Sequence, residues 1–417
     1  MPVDARQPVD EGSAVIRDLY KRDGRRVYAA LVRLLGDFDR AEEATQIAFL
    51  AAASRWPAEG VPRKPVQWLI SAGRFRMIDQ MRRDRRMTQW SDEAERAVER
   101  LELQQDPETI EDDRLRLIFT CCHPSLSEEA AVAMTLREVC GLATEAIASA
   151  FLVAPPTLAQ RIVRAKSKIR DACIPYEVPD TDELPRRLDR VLRVVYLAFT
   201  EGHSSSGGEN LVQADLMAEA IRLGRLILKL LPEAEVQGLL ALMILQHARH
   251  AARMSPGGDL IPLDEQDRGL WDHAAIAEGA EHARQALLSG RSGPYTLQAA
   301  IAASHAEAPR FEDTDWAEIA GLYAALLRIE PSPVIALNHA VAIAMRDGPE
   351  TGLALIEPLL QADRLGRYHL AHAARADLLR RMGRTDAARQ SYETARDLAT
   401  QEAERRFITR RLAEIGP

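Results

Sequence analysis

Cysteine is scarce in this chain. Four residues (Cys121, Cys122, Cys140 and Cys173) among 417 are too few for a disulfide framework, and the adjacent pair would close an awkward ring, so reduced thiols are expected. Long apolar runs are missing as well. No stretch approaches the roughly 20 uncharged apolar residues needed to cross a bilayer, and the first residues, with Asp4, Asp10 and Glu11, lack a signal-peptide pattern. A cytoplasmic protein with no membrane partner is the expectation. Alternating Val/Ile/Thr-rich strand patterns are equally rare while Ala, Leu, Arg and Glu abound, which predicts an all-α protein. No nucleophile–base pair or ligand triad stands out, so neither catalysis nor a cofactor is expected.

The net charge of -8 would argue against a nucleic-acid partner only if the charge were evenly spread. It is segregated. Residues 1–175 hold 27 basic and 27 acidic side chains, leaving 27 basic and 35 acidic for the remainder. Residues 63–86 carry eight basic and two acidic groups, residues 92–113 carry ten acidic and two basic, and residues 161–170 carry five basic and no acidic ones. Two positive blocks flank a negative one.

The second positive block begins "APPTLAQRIVRAKSKIR" at Ala154. Pro155 and Pro156 can start a helix but not sit inside one, and from there Leu158, Ile162, Ala165 and Ile169 recur as one apolar stripe. Upstream, Gly141 breaks the pattern, residues 143–151 make a short helix, and residues 152–154 make the turn. This is helix-turn-helix spacing, whose second helix puts its N-terminal residues at base edges and later basic residues on phosphate. Thr157, Gln160 and Arg161 are candidate readers, with Arg164, Lys166 and Lys168 as phosphate contacts. The first positive block differs in kind. In "PRKPVQWLISAGRFRMIDQMRRDRR", Trp68 and Phe75 interleave with Arg63, Lys64, Arg74 and Arg76, a mixture of aromatic faces and cations that suits splayed bases. The same spacing also fits Trp68 as ordinary core.

In order, "RAEEATQIAFLAAASRW", "WLISAGRFRMIDQMRRDRR", an acidic linker and the helix-turn-helix resemble the bacterial RNA polymerase sigma factors of the extracytoplasmic-function type. The resemblance implies a sigma region 2 over residues 13–86, which binds core polymerase and melts the minus-10 element, and a linker over 87–113. It implies a sigma region 4 over 114–174, which binds the minus-35 element. It assigns Glu43, Gln46 and Phe49 to polymerase binding and Trp68, Arg74, Asp79, Arg82 and Arg83 to the melting segment, with Arg63 and Lys64 beside it. Core RNA polymerase and promoter DNA are the implied partners. Gly73 departs from the family form, since a helix former is expected there.

Residues 186–417 read as a helical extension. A weak self-similarity at a period of 34, pairing Ala342 with Ala376 and Ala354 with Ala388, suggests tetratricopeptide-like repeats near 334–400, with Gly383 at a helix–helix turn. "AFTEGHSSSGGENL", "QDRGLWD" and "GPYTLQAAIAASHA" resemble the large C-terminal extension of one sigma subgroup, which implies self-regulation. The acidic excess of this part suggests that it docks on the sigma domains. "CCH" at residues 121–123 with Cys140 has soft-ligand character, but adjacent cysteines rarely face one metal, and buried small hydrophobes are the preferred reading, with no metal. His247 and His250 lack a third ligand at metalloprotease spacing. The alternative function is a self-contained helix-turn-helix regulator whose C-terminal helices sense a ligand or dimerise.

Overall fold

The computed structural model of the chain describes residues 8–85, 110–151, 153–204, 211–255, 257–361 and 365–415. No strand forms among them, apart from one isolated bridge between Met254 and Leu260. The chain divides into two compact units, Met1–Ala198 and Phe199–Pro417. The all-α expectation therefore holds.

In the first unit, α1 (Pro8–Leu35), α2 (Phe38–Glu59) and α3 (Pro65–Arg85) form a three-helix bundle. Asp37 starts α2 by accepting hydrogen bonds from the amides of Asp39 and Arg40, both at 2.9 Å, which satisfies donors that a helix N-terminus leaves open. Leu19, Val27, Leu31 and Leu34 of α1 point into the bundle, where Ala41, Ala44, Ala48 and Ala52 of α2 keep the helices close. That closeness explains Gly73. A side chain there would meet the Ala44 carbonyl oxygen at 2.8 Å and Leu31 at 3.1 Å, so the residue that looked wrong for helix propensity is the one the packing requires.

The rest of the unit comprises α4 (Ile110–Cys121), α5 (Glu128–Met134), which runs on as a π-helical turn over Thr135–Cys140, α6 (Thr144–Ala150), α7 (Pro155–Asp171) and the start of α8 (Leu184–Ser204). Residues 86–109, most of the acidic run, lie outside the described residues. The last four residues of the expected linker, 110–113, are helical, because Asp113 is fully buried and its Oδ1 pairs with Arg33 at 2.6 Å and Arg116 at 2.8 Å. The α4 helix packs directly on α1. The chain after α7 returns over this joint. The Tyr176 hydroxyl lies 2.9 Å from the Ala29 carbonyl and 3.0 Å from that of Asp113, Arg187 donates to the Phe119 carbonyl, and Arg190 donates to Leu126 and Glu128.

The second unit is a succession of helices: α9 (Leu211–Leu230), α10 (Ala234–Ala248), α11 (His273–Leu288), α12 (Pro294–Glu307), α13 (Trp316–Ile329), α14 (Pro333–Asp347), α15 (Pro349–Gln361), α16 (His369–Arg381), α17 (Thr385–Leu398) and α18 (Glu402–Glu414). Most pack chiefly on their sequence neighbours, and α12 also packs closely on α10, two helices earlier, so the core is built step by step along the chain. Glu235 of α10 shows how two steps are joined. Its carboxylate accepts from the amides of Gly293, Tyr295 and Thr296, each at 3.0 Å, and so caps α12 from another helix. Gly383 lies in the turn between α16 and α17.

Gly73→Ala is expected to destabilise the first unit. Alanine would add up to about 1 kcal/mol of helix propensity, but a methyl group against a backbone carbonyl costs about 1–3 kcal/mol. The chemical denaturation midpoint followed by circular dichroism should fall, and an unchanged or raised midpoint would contradict the packing account.

Candidate nucleic-acid interface

The expected helix-turn-helix is present as α6 and α7. Gly141 ends the π-helical turn in the left-handed region, at φ 80°, where only glycine is at ease. Ala154 is extended, Pro155 takes the first helical position, and Leu158, Ile162, Ala165 and Ile169 are all buried. Thr157, Gln160, Arg164 and Lys168 are exposed on the other face.

Three basic residues of α7, Arg161, Lys166 and Arg170, have ion-pair partners, and for the first two the partners differ in consequence. Arg161 pairs with Glu129 at 3.0 Å, but the glutamate is 72% exposed; such a pair is worth at most about 1 kcal/mol and is easily exchanged for another anion. Lys166 is turned inward. Its ammonium lies 2.8 Å from Asp39 and 3.0 Å from Glu138, over the ring of Phe38. Glu138 is buried and also accepts a hydrogen bond from Tyr28. Burial works against the lysine charge, yet Glu138 and Asp39 raise its pKa above the ordinary value. In the free chain Lys166, expected on phosphate, therefore holds a structural place, because the residue follows Ala165 at the edge of the buried stripe and leaving Glu138 unpaired there is costly.

The first positive block lies on α3 and just before it. Arg63 and Lys64 are exposed. Trp68 is half-buried and meets Trp56 edge to face, with ring centroids 5.3 Å apart, while Leu69, Met77 and Ile78 are core. Phe75 is the aromatic that the block displays, at 73% exposure, beside exposed Arg76. Arg74 is half-buried, and Arg83 is exposed and pairs with Asp79 at 2.7 Å. The side chain of Arg82 lies outside the described residues. On α2, Glu43 and Gln46 are exposed, and Glu43 accepts from Gln80 at 3.0 Å. Phe49 differs from them in exposure. It is buried and packs edge to face on Tyr20 at 4.9 Å, so it supports the surface that Glu43 and Gln46 present. Cys121 and Cys122 are buried, and burial pushes the Cys122 thiol up to about 11.

Residues 19–87 match Sigma-70 region 2, and residues 116–169 match Sigma-70, region 4. The bundle and the helix-turn-helix thus carry the two sigma signatures in order. The chain belongs to the sigma factors of the extracytoplasmic-function type. This sigma factor carries a C-terminal extension, of which residues 187–287 match a family of unknown function (DUF6596). It is 44% identical over 397 residues to "Uncharacterized protein R00370" of Rhizobium meliloti (strain 1021), covering 93% of this chain and 92% of that one. Sigma-factor families are DNA-binding transcription initiation factors rather than enzymes, and their domains imply core RNA polymerase and promoter DNA as partners. Among the described residues no helix is long and apolar enough to cross a membrane.

The residues that tie the sigma factor's two domains together, Tyr28, Asp113, Glu138 and Tyr176, had no signal in the sequence, since their partners lie 63 to 147 positions away. They give a pH prediction. Burial raises Tyr28 and Tyr176 well above 10.0 and Cys121 well above 9.0. Groups raised on folding contribute stability that is complete below their unfolded values and is lost as pH rises past them. The urea midpoint of the first unit should be flat from about pH 7 to 8.5 and then fall, by up to about 1.4 kcal/mol per pH unit per group. A midpoint constant to about pH 10.5 would show that these groups are not buried together.

Proposed function

We propose that this sigma factor delivers core RNA polymerase to a promoter through three faces of its first unit. Glu43 and Gln46 on α2 meet the polymerase. Thr157, Gln160 and Arg161 on α7 read a minus-35 element, with Arg164 and Lys168 on phosphates. Phe75 and Trp68, with the basic residues Arg63, Lys64, Arg74, Arg76, Arg82 and Arg83, hold the opened minus-10 strand by stacking and charge. The observation that carries this reading is the coexistence of two basic faces of different chemistry. A duplex-binding regulator needs the helix-turn-helix alone; an exposed aromatic among cations suits unpaired bases. The acidic excess of residues 176–417 supports a regulatory role for the extension.

A consequence follows from size. The two promoter elements lie about 25 base pairs apart, or about 85 Å of duplex, whereas a compact body of 198 residues is roughly 40 Å across. The two domains must therefore part when both elements are bound, and the contacts of Lys166, Glu138, Tyr28 and Asp113 must open. A bismaleimide bridge between Asp37→Cys and Arg170→Cys, which face each other across the same joint at 4.0 Å, in a Cys173→Ser background, is expected to block promoter-dependent transcription while leaving binding to core polymerase intact. Full transcription by the bridged protein would show that the domains work without separating.

The reading itself is tested with core polymerase and a premelted promoter fork. A stable ternary complex is expected, weakened by Phe75→Ala on the fork. Arg161→Ala should cost about 1–3 kcal/mol on the matched minus-35 duplex if its contact is bidentate, and less on a scrambled one. Tight duplex binding by the chain alone, with no polymerase complex, would favour the self-contained regulator. Truncation after residue 198 should alter initiation in the same assay, and unchanged transcription would dismiss regulation by the extension.

A further inference from the structure

The second unit gathers positive charge at one point although residues 176–417 are acidic in sum. Arg249 ends α10, Arg253 follows a 3-10 turn, and Arg268 begins another. Two of them, Arg249 and Arg268, meet over Trp271. The Arg268 guanidinium lies 4.4 Å from its ring centroid and that of Arg249 lies 5.8 Å away, while the tryptophan itself is only 4% exposed. Arg268 is fixed in place because its Nη1 donates to the carbonyls of His305 and Ala308. The three arginines are half-buried and so reach solvent.

Among the described residues Arg249 makes no hydrogen bond or ion pair, and the buried atoms Nη2 of Arg268, Nε1 of Trp271 and Nδ1 of His305 have no partner. Arginine and tryptophan nitrogens only donate. Carboxylates are near but off-centre: Glu312 and Asp313 act on Arg268, and Asp272 acts on His247. Burial, then Arg253 and Arg268, push Arg249 down to about 10, and burial with Arg249 and Arg268 pushes His305 to about 4. Like charges held together out of water destabilise a fold unless something neutralises them, and natural proteins keep such arrangements where a ligand supplies the opposite charge.

We propose that the extension carries a binding site for a small organic oxyanion, whose acid group is held by Arg249 and Arg268 around Trp271. The organic part has a place to lie. Next to the arginines, His305 borders a groove of about 340 Å³ walled by Phe311, Trp316 and Tyr323, with Asp264, Asp377, Arg381 and Arg411 also lining it, and the His305 ring stands edge to face on Trp316 at 5.2 Å. This is the size and lining of a small-molecule site. The ligand is thus an acid of phosphate or carboxylate type on an apolar or aromatic body. The inference rests on the second unit alone and stands or falls independently of promoter binding.

The test uses the full chain with three probes at matched ionic strength: inorganic phosphate, phenyl phosphate and benzoate. Phenyl phosphate is expected to raise the melting temperature saturably by a few degrees, at concentrations at least about tenfold below those inorganic phosphate requires. A benzoate response equal to that of phenyl phosphate would assign a carboxylate ligand, and a weaker one a phosphate ester. Arg249→Met should abolish the response and leave the unliganded protein melting no lower than wild type, because a repelling charge is removed. No saturable shift in the wild type, or an equal shift in Arg249→Met, overturns the site. So does an unliganded Arg249→Met protein that melts several degrees lower, since the arginine is then structural. On the unmutated chain, phenyl phosphate should protect Arg249 and Arg268 from phenylglyoxal at least about tenfold while exposed Arg346 stays reactive. Equal labelling with and without ligand overturns it independently.

Discussion

The buried carboxylate of Glu138 is the constraint on which the first unit depends. It belongs to the helix-turn-helix domain, yet it takes its hydrogen bond from Tyr28 of the three-helix bundle and its counter-charge from Lys166 of the recognition helix. Removing one partner of such a group leaves a charge with nowhere to go, at a cost of several kcal/mol. Asp113 makes the equivalent joint on the other side, between Arg33 and Arg116. The three-helix bundle and the helix-turn-helix are therefore one cooperative body in the free chain.

That body keeps its two basic faces outward. The apolar stripe of α7 and the inner side of α3 are spent on packing, while Thr157, Gln160, Arg164 and Lys168 on one element and Arg63, Lys64, Phe75 and Arg76 on the other meet solvent. The polar ties between domains are few and geometrically specific. They hold a defined arrangement yet are open to exchange, because charged groups lose little when one counter-charge replaces another. A hydrophobic joint of the same extent would lack that reversibility.

The second unit works by different physics. Its helices bury their faces against sequence neighbours, Glu235 caps α12 from a distance, and α18 is tied back by Arg406 to Asp259 and by Arg411 to Glu265. Local stacking can bring short turns from successive helices to one point. The convergence of residues 247–253, 268–271 and 305 on Trp271 is an instance, and it concentrates charge that the linear composition averages away.

Helix identity, the helix-turn-helix boundaries and the buried stripe of α7 were legible in the sequence, because proline at a helix start and apolar residues at a 3.6 period are local signals. The order of the two positive blocks was legible for the same reason. Side-chain assignment within those blocks was not. Phe49 turned inward, Phe75 outward, Lys166 became a strut and Gly73 a packing necessity, each decided by a neighbour on another helix. Periodicity says which face of a helix is apolar but not what that face will meet. Pairings such as Tyr28 with Glu138, or Arg249 with Arg268 about Trp271, exist only once the chain has closed on itself, since the energy of a buried charge is a property of its surroundings and not of its place in the sequence.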